Sequence, residues 1–190
     1  GFVVLGIAAA AWVYGITYTG GAAPWLGLEP GTVAQADTQS AIIATNGAVL
    51  QMFNHGLSSA AMFLLVGALY HKAHTRDLRK MGGLWVLAPI YGGILIFTSM
   101  ASLGLPGLNG FVSEFLVVRG AWSVFTTATL VSMLGLLFTG AYVLKGLQKV
   151  LHGTPSQEWV DYDKRHHRLE IEVREVIAIA PLLVLLLPLI

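Results

Sequence analysis

A long apolar stretch interrupted by glycine and proline is the feature that most limits how this chain can fold. From Leu84 to Leu144 the only formal charges are those of Glu114 and Arg119. Four residues that disfavour helix cluster within seven positions of this stretch: Gly104, Pro106, Gly107 and Gly110. Because proline removes a helical hydrogen bond and glycine has a low helix propensity, the stretch predicts an apolar helix that stops within a membrane and then restarts.

Glu114 follows the predicted break and is expected near the first turn of the helix that restarts. An ionisable group in a lipid-embedded segment is costly and by default indicates an ion or proton path. Burial favours the neutral form of a carboxyl and a helix N-terminus favours the charged form, so a group under both influences can titrate near neutral pH. The structural alternatives are a cap on its own helix and an ion pair with Arg119, which the spacing of five residues disfavours.

The composition is that of a membrane protein rather than of a soluble domain. Hydrophobic residues make up 55% of the 190 residues and charged residues only 11%. The absence of cysteine excludes disulfides, iron–sulfur ligation and cysteine-ligated zinc. A net charge of +1 without a basic cluster does not suit a nucleic-acid partner. Because the chain lacks an initiator Met and ends within an apolar run, we expect it to be a piece of a larger membrane protein.

The order of apolar and polar blocks predicts an all-α, polytopic membrane helix bundle of about five transmembrane segments, one of them discontinuous. The predicted spanning segments are the remainder of a helix at 1–17, a helix at 41–72, the broken helix at 84–122, a helix at 124–151 and the start of a helix at 176–190. The predicted connections are an outer loop at 18–40 and a cytoplasmic loop at 152–175. All of them are assigned to one transmembrane domain over 1–190.

Loop charges decide whether the 84–122 segment crosses the membrane once or twice. Lys and Arg concentrate in the loops at 71–81 and 145–174, whereas 18–40 contains acidic but no basic residues. Because short basic loops stay in the cytoplasm, a single broken crossing places both basic loops inside and 18–40 outside. Two crossings would place one basic loop outside, so the single crossing is favoured.

His55 is the second candidate for proton transfer. It lies in a block without formal charge, and Gln51, Ser58 and Ser59 lie four residues before, three after and four after it. This spacing predicts a polar stripe along one face of an apolar helix. Imidazole titrates in the physiological range and can pass a proton through either nitrogen. The alternatives are a core histidine bonded to a neighbouring carbonyl and an axial ligand of haem or chlorophyll, which no second histidine within the membrane supports.

The other basic side chains have structural interpretations beside functional ones. His71 and His74 lie among Lys and Arg at a membrane boundary, either in an interfacial cationic loop or at the point where protons enter. Lys145 and Lys149 are typical of lysines that extend from a helix end to the interface. The pair His166–His167 is poorly spaced for chelation, so no metal site is predicted.

Several stretches of the chain together resemble one family. They are Gly47–Ser58, Leu69–Tyr70, His74–Asp77, Gly82–Trp85, Leu103–Phe115 and Arg174–Glu175. In this order they are similar to the antiporter-like membrane subunits of proton-pumping NADH–quinone oxidoreductase (complex I), and most of all to subunit M, also called chain 4. The resemblance covers about 1–17 and 47–190.

The resemblance implies a larger many-helix subunit, of which this chain provides roughly the last five helices. It implies that Glu114 matches the acidic relay residue on the discontinuous helix and that His55 matches a histidine of the central polar axis. Sister subunits L and N usually carry lysine at the Glu114 position, which favours subunit M. The other relay residues, a Glu–Lys pair and a central lysine, are expected on helices before Gly1.

The implied function is proton translocation through a relay from His55 to Glu114, driven by quinone reduction elsewhere in the complex. The implied partners are the L- and N-type membrane subunits, the lipid bilayer and protons, and the implied location is the bacterial plasma (inner) membrane. No cofactor is expected in this chain, because flavin, iron–sulfur clusters and quinone belong to partner subunits. The chain is expected to contribute transport, so that "enzyme" applies only to the assembly.

Two other functions remain open from the sequence. The same module builds Mrp-type cation/proton antiporters and membrane-hydrogenase subunits, which neighbouring genes would distinguish. A structural scaffold or pigment-binding subunit is the other alternative. A visible absorption spectrum would reveal a pigment, and pumping retained after replacement of Glu114 and His55 would favour a scaffold.

Overall fold

The computed structural model describes residues 1–19, 38–75, 77–78, 80–155, 157–166 and 169–187. The predicted outer loop at 18–40 therefore lies almost entirely outside the described residues, as do Arg76, Arg79 and His167. The side chain of His166 is likewise outside them.

All regular structure within these residues is helical, which confirms the all-α prediction. The helices are α1 (Phe2–Thr19), α2 (Thr38–Ala73), α3 (Leu84–Leu87), α4 (Pro89–Ser102), α5 (Asn109–Trp122), α6 (Thr126–Leu151), α7 (Gln157–His166) and α8 (Val173–Leu185). Two of them, α2 and α6, are long and apolar enough to cross a bilayer. The prediction of about five spanning segments is not confirmed by helix length, because the apolar stretches described in α1 and α4 have only 10–17 residues.

Between α4 and α5 the chain leaves helical geometry over Leu103–Leu108. Gly104 follows the end of α4 with a φ of 67°. Its N–H donates to the carbonyl of Ala101 at 3.2 Å, and the N–H of Leu105 donates to the carbonyl of Met100 at 3.2 Å. These two bonds form a Schellman motif, in which a left-handed residue ends the helix and satisfies its last carbonyls. Glycine adopts that backbone conformation without steric cost, so Gly104 determines where α4 ends.

The other residues expected to break the helix differ in their roles. Pro106 and Gly107 lie in the non-helical stretch, and Gly107 has a φ of 96°. Gly110 already lies in the first turn of α5, which begins at Asn109. Glu114 consequently lies early in the second turn of α5, which agrees with the expectation that it lies near the first turn.

The chain divides into two compact units, of which the first comprises Gly1–Asn54 and Gly110–Leu136. The first unit packs α1, the N-terminal part of α2 and α5 on small side chains. One buried apolar cluster in this unit comprises Leu5, Ala9, Ala44, Ala48, Val117 and Ala121. A Cβ atom on Gly47 would lie 2.7 Å from the backbone nitrogen of Val117, so α2 and α5 are in backbone contact at this point.

The second unit comprises His55–Asn109 and Leu137–Ile190 and has the larger apolar core. The predicted connection at 152–175 contains α7, a helix that the sequence did not indicate. Trp159 of α7 is only 6% exposed and donates its indole N–H to the carbonyl of Lys80 at 2.8 Å. Helix α8 begins at Val173, slightly before the predicted start at 176.

Candidate functional site

Glu114 is a buried carboxyl in an apolar helix. It lies five residues after the start of α5, and only 7% of its surface is exposed. Ser113 beside it is fully buried, whereas Phe115 is exposed. Because a carboxyl removed from water is costly unless it is hydrogen-bonded, the contacts of Glu114 define the site.

A chain of hydrogen bonds leads from α2 to this carboxyl. Asn54 Nδ2 donates to Ser113 Oγ at 3.0 Å, and the Ser113 hydroxyl donates to Gln51 Oε1. Gln51 Nε2 then donates to Glu114 Oε1 at 3.4 Å. Every step points toward the carboxyl, and aligned hydrogen bonds strengthen one another in a low-dielectric interior. Since a hydroxyl has one proton, the carbonyl of Gly110, 2.9 Å from Ser113 Oγ, is its alternative acceptor.

Glycines bring α2 and α5 close enough for this chain to form. Gly47 lies one helical turn before Gln51 on α2 and meets the backbone of α5. At the far end of α5, a Cβ on Gly120 would collide with the backbone nitrogen of Ala44. Larger side chains at these two positions would push the helices apart, and short polar side chains such as Ser113 would no longer reach across.

No described basic side chain pairs with Glu114. Arg119 is exposed, and no nitrogen of a described Lys, Arg or His lies within 4.0 Å of the Glu114 carboxyl oxygens. The geometry therefore does not support the alternative of an ion pair with Arg119. Capping is disfavoured as well, because a cap accepts from the N–H groups of the first helical turn, whereas Glu114 lies in the second.

His55 lies on α2 and is exposed in the described chain. Its Nε2 lies 3.3 Å from Ser59 Oγ, and its carbonyl accepts a hydrogen bond from the Ser58 hydroxyl at 3.3 Å. Two members of the predicted polar stripe thus contact His55, whereas the side chain of Gln51 bonds to α5. His55 belongs to the second compact unit and Glu114 to the first, so the two leading candidates are not brought together within one unit.

His71 and His74 are both exposed at the end of α2. His74 has a φ of 49°, and its ring centroid is 6.4 Å from that of Tyr70. The sequence leaves an interfacial cationic loop and a point of proton entry open here, and Lys72 between the two histidines is buried. Only 7% of Lys72 is exposed, and its Nζ lies 3.3 Å from a carboxyl oxygen of Glu175.

Sequence reasoning singled out Gln51 and Glu114 but missed Asn54 and Ser113. Each missed residue directly precedes a candidate in the sequence, Asn54 before His55 and Ser113 before Glu114. Gln51 and Asn54 are three residues apart, which places them on one face of a helix. This spacing is the signal that could have identified Asn54, whereas nothing in the spacing pairs Ser113 with α2.

The site contains one carboxyl, two amides and one hydroxyl, which suits proton exchange better than metal binding. Within the described part of the chain, no group of three or more His, Asp or Glu side chains could hold a metal ion. The amides and the hydroxyl can orient the carboxyl, and the carboxyl can take up and release a proton.

Comparison with known proteins identifies the family. Residues 32–139 match the family model described as "NADH:quinone oxidoreductase/Mrp antiporter, TM", which is 108 of the 190 residues. The chain is 44% identical over 147 residues to NADH-quinone oxidoreductase subunit M of Pseudomonas aeruginosa, an alignment that covers 76% of this chain and 28% of that protein. It is 42% identical over 111 residues to subunit M of Escherichia coli K12, covering 58% of this chain and 22% of that protein.

A solved structure has the same fold. Respiratory complex I from Thermus thermophilus with bound NADH contains a chain that matches with a TM-score of 0.56 and 24% identity, over 79% of this chain and 34% of that chain. The chain described here spans about 28% of the length of the Pseudomonas relative. On the family match and these identities, the chain belongs to the NADH:quinone oxidoreductase/Mrp antiporter transmembrane family, and within it to the subunit M type.

Proposed function

We propose that this chain is part of a proton-translocating membrane subunit of a respiratory NADH–quinone oxidoreductase. The observation that carries the proposal is the buried carboxyl of Glu114, which ends a hydrogen-bond chain on a helix that restarts after a break. Ionisable groups are rare in membrane helices and typically mark ion or proton paths. The two relatives that are 44% and 42% identical are named as subunit M of this oxidoreductase, which supports the assignment.

In this proposal Glu114 takes up and releases the translocated proton. Of the four side chains in the hydrogen-bond chain, only its carboxyl is an ionisable group. The amides of Gln51 and Asn54 and the hydroxyl of Ser113 hold it in place. His55 is the preceding relay group, because imidazole can pass a proton through either nitrogen.

We propose that α4 and α5 form a single discontinuous crossing. Each has 14 residues, which at 1.5 Å per residue is roughly 21 Å, less than the roughly 30 Å of a hydrocarbon core. Neither helix crosses alone, whereas the two in succession can. With α1, α2 and α6 as further crossings and α8 as the start of another, the bundle has about five transmembrane segments.

The proposed location is the bacterial inner membrane, with the basic loops at 71–81 and 145–174 in the cytoplasm and 18–40 on the outer side. The support is the excess of Lys and Arg in the first two loops, since short basic loops remain cytoplasmic. In this orientation His71 and His74 lie on the cytoplasmic side, where protons would enter the path.

The proposed partners are the L- and N-type membrane subunits of the same complex. Quinone reduction elsewhere in the complex would drive the relay, with flavin, iron–sulfur clusters and quinone held by other subunits. The large exposed apolar surface of α6, where side chains such as Phe138 are 76% exposed, is consistent with a helix covered by lipid or by other protein segments.

A second candidate is an Mrp-type cation/proton antiporter, because the matching family model also describes that class. The two candidates differ in the transported ion. Proton uptake that depends on an opposing Na⁺ gradient, without quinone reduction, would favour the antiporter.

The experiment that tests the proposal replaces Glu114 by Gln in the intact complex, reconstituted in proteoliposomes. Quinone reduction and proton uptake are followed together. Glu114→Gln keeps the shape and hydrogen-bonding capacity of the side chain but cannot ionise. We expect proton uptake to fall by at least about 100-fold, as for loss of a group that transfers the proton. Coupled turnover of quinone should fall by at least about tenfold.

Asp161→Asn provides the matched control, because it makes the same acid-to-amide change on α7, where Asp161 accepts a hydrogen bond from Gln157. It should retain wild-type pumping. Normal assembly of the Glu114→Gln complex is checked on a native gel. Pumping at the wild-type level in an assembled Glu114→Gln complex would mean that Glu114 is structural and that the proposal is wrong.

A further inference from the structure

The N-terminus of α4 is capped by a residue that lies 80 positions away. Helix α4 begins with Pro89, and Ala88 before it offers no side-chain cap. The exposed N–H groups of the first turn need partners. The carboxylate of Glu170 is the partner of two of these groups, because it accepts hydrogen bonds from the N–H of Ile90 and the N–H of Tyr91 at 2.9 Å each.

Lys72 connects this cap to the start of α8. Its Nζ donates to the backbone carbonyl of Glu170 and lies 3.3 Å from a carboxyl oxygen of Glu175. The same oxygen of Glu175 accepts from the N–H of Glu172 at 2.7 Å and so closes the capping box of α8. The C-terminus of α2 and the N-termini of α4 and α8 therefore meet at one buried lysine.

The other end of α8 is bonded to the far side of the helix break. The N–H of Asn109, the first residue of α5, donates to the carbonyl of Leu186 at 3.0 Å. Asn109 Nδ2 donates to the carbonyl of Leu185 at 3.4 Å. A helix C-terminus and a helix N-terminus thus satisfy each other's unpaired groups. Apolar packing accompanies these bonds, since Leu186, Leu108 and Ala101 share one buried cluster.

The lengths of the two helices match this arrangement. Helix α8 has 13 residues and α4 has 14, or roughly 20 Å each at 1.5 Å per residue. Ile179, in the middle of α8, belongs to the same buried cluster as Tyr91 and Leu95 of α4. Polar bonds at both ends and apolar packing between them make α8 a brace along α4 and its break.

We propose that α8 is a brace that sets the start of α5, with Glu170 and Asn109 as its two positioning residues. This inference rests on the proposed function, because the helix that α8 positions carries Glu114. The chain is not helical over Leu103–Leu108. The first residue of α5, Asn109, is held by its hydrogen bonds to the end of α8, whereas Ser113 and Glu114 further along α5 bond to α2.

The test is a double-mutant cycle in the assembled complex with Glu170→Ala, Asn109→Ala and the double variant. The readouts are hydrogen exchange at the amides of 110–114 and proton uptake per quinone reduced. Distant, independent sites have additive effects, whereas sites joined through one element do not. Asp161→Asn is the control for a charge removed elsewhere in the connection between α6 and α8.

Each single variant should speed exchange in the first turn of α5 by about fivefold to tenfold, the range expected for losing one or two net hydrogen bonds. Proton uptake per quinone should fall in both. The double variant should be no worse than the more severe single variant. Glu170→Gln keeps the size of the side chain and one acceptor oxygen, so its effect on exchange should lie between those of the wild type and Glu170→Ala. It also provides the measurement if the Glu170→Ala complex fails to assemble.

Two outcomes would overturn the brace. One is that Glu170→Ala and Glu170→Gln change exchange only near Ile90, with the amides of 110–114 unaffected. The other is that the effects of Glu170→Ala and Asn109→Ala on exchange simply multiply. Failure of the proposed function is distinguishable from failure of the brace. Pumping retained by Glu114→Gln would refute the relay, whereas hydrogen exchange at 110–114 would still decide whether α8 is a brace.

Discussion

Single polar side chains determine the chemistry of this apolar chain. Glu114 is buried, and its carboxyl accepts a hydrogen bond from the Gln51 amide. That amide is in turn oriented by a hydrogen bond from the Ser113 hydroxyl. An amide whose oxygen accepts from one residue and whose nitrogen donates to the next has its orientation fixed. A carboxyl held in this way can exchange a proton without first reorganising its surroundings, which is what electrostatic preorganisation contributes to reactions in proteins.

Ser113→Ala tests whether the orientation of the carboxyl matters as well as its presence. The change removes the hydroxyl between Asn54 and Gln51 and leaves Gln51 Oε1 without that donor, which should lower the free energy of unfolding by about 1–3 kcal/mol. We expect proton uptake per quinone to fall by about tenfold, less than for Glu114→Gln, because the ionisable group remains. Ser123→Ala is the control, since it removes a hydroxyl bonded to Ser40 in the same unit. Wild-type coupling in Ser113→Ala would contradict the orienting role.

At this scale the sequence predicts which residues stand out but not which residues they contact. Glu114 and Gln51 are recognisable because a polar group in an apolar helix is conspicuous from sequence alone. Ser113 is not, because serine is common in helices and its significance arises from a helix about 60 residues away. The burial of Lys72 is likewise not predictable from its neighbours in the sequence, because its partners Glu170 and Glu175 lie about 100 residues later.

At the scale of helices, glycine sets how closely α2 and α5 approach. Helix α2 contains three glycines, Gly47, Gly56 and Gly67, and all three are equivalent by sequence pattern. Of the three, only Gly47 lies against the backbone of another helix, α5. A Cβ atom on Gly56 or Gly67 would have no other heavy atom within 4 Å. The break after α4 was predictable from Gly104 and its neighbours, whereas the pairing of helices was not.

Gly47→Ala and Gly67→Ala separate contact from helix propensity on the same helix. Alanine at Gly47 would place its Cβ 2.7 Å from the backbone nitrogen of Val117, and overpacking of this kind costs about 1–3 kcal/mol. Alanine at Gly67 meets no atom, so only its better helix propensity applies, which is worth up to about 1 kcal/mol. Thermal unfolding of the purified complex should therefore show a lower melting temperature for the first variant and an equal or higher one for the second. Equal melting temperatures would contradict the close contact of α2 and α5.

On the scale of the whole molecule, much of the apolar surface of the described residues is exposed. Large side chains such as Phe63, Leu137 and Phe138 are at least 70% exposed. Composition and apolar block length predicted the membrane class and the all-α fold, because those depend only on hydrophobicity. The division into two units, helix α7 and the contacts of α8 depend on long-range packing, which a hydropathy pattern does not encode.

The last prediction concerns what the chain can do alone. It spans about 28% of the length of the Pseudomonas relative, and the proposed proton path would use further residues on helices that this sequence does not contain. His55 is exposed in the described chain. We therefore expect the 190-residue chain, reconstituted in liposomes with an imposed pH gradient, to conduct protons no faster than empty liposomes. A pH-sensitive dye measures the flux, and a protonophore added at the end confirms that the gradient was intact. A flux through the chain that Glu114→Gln abolishes would contradict this expectation, because it would mean that the path from His55 to Glu114 is complete without the remaining helices.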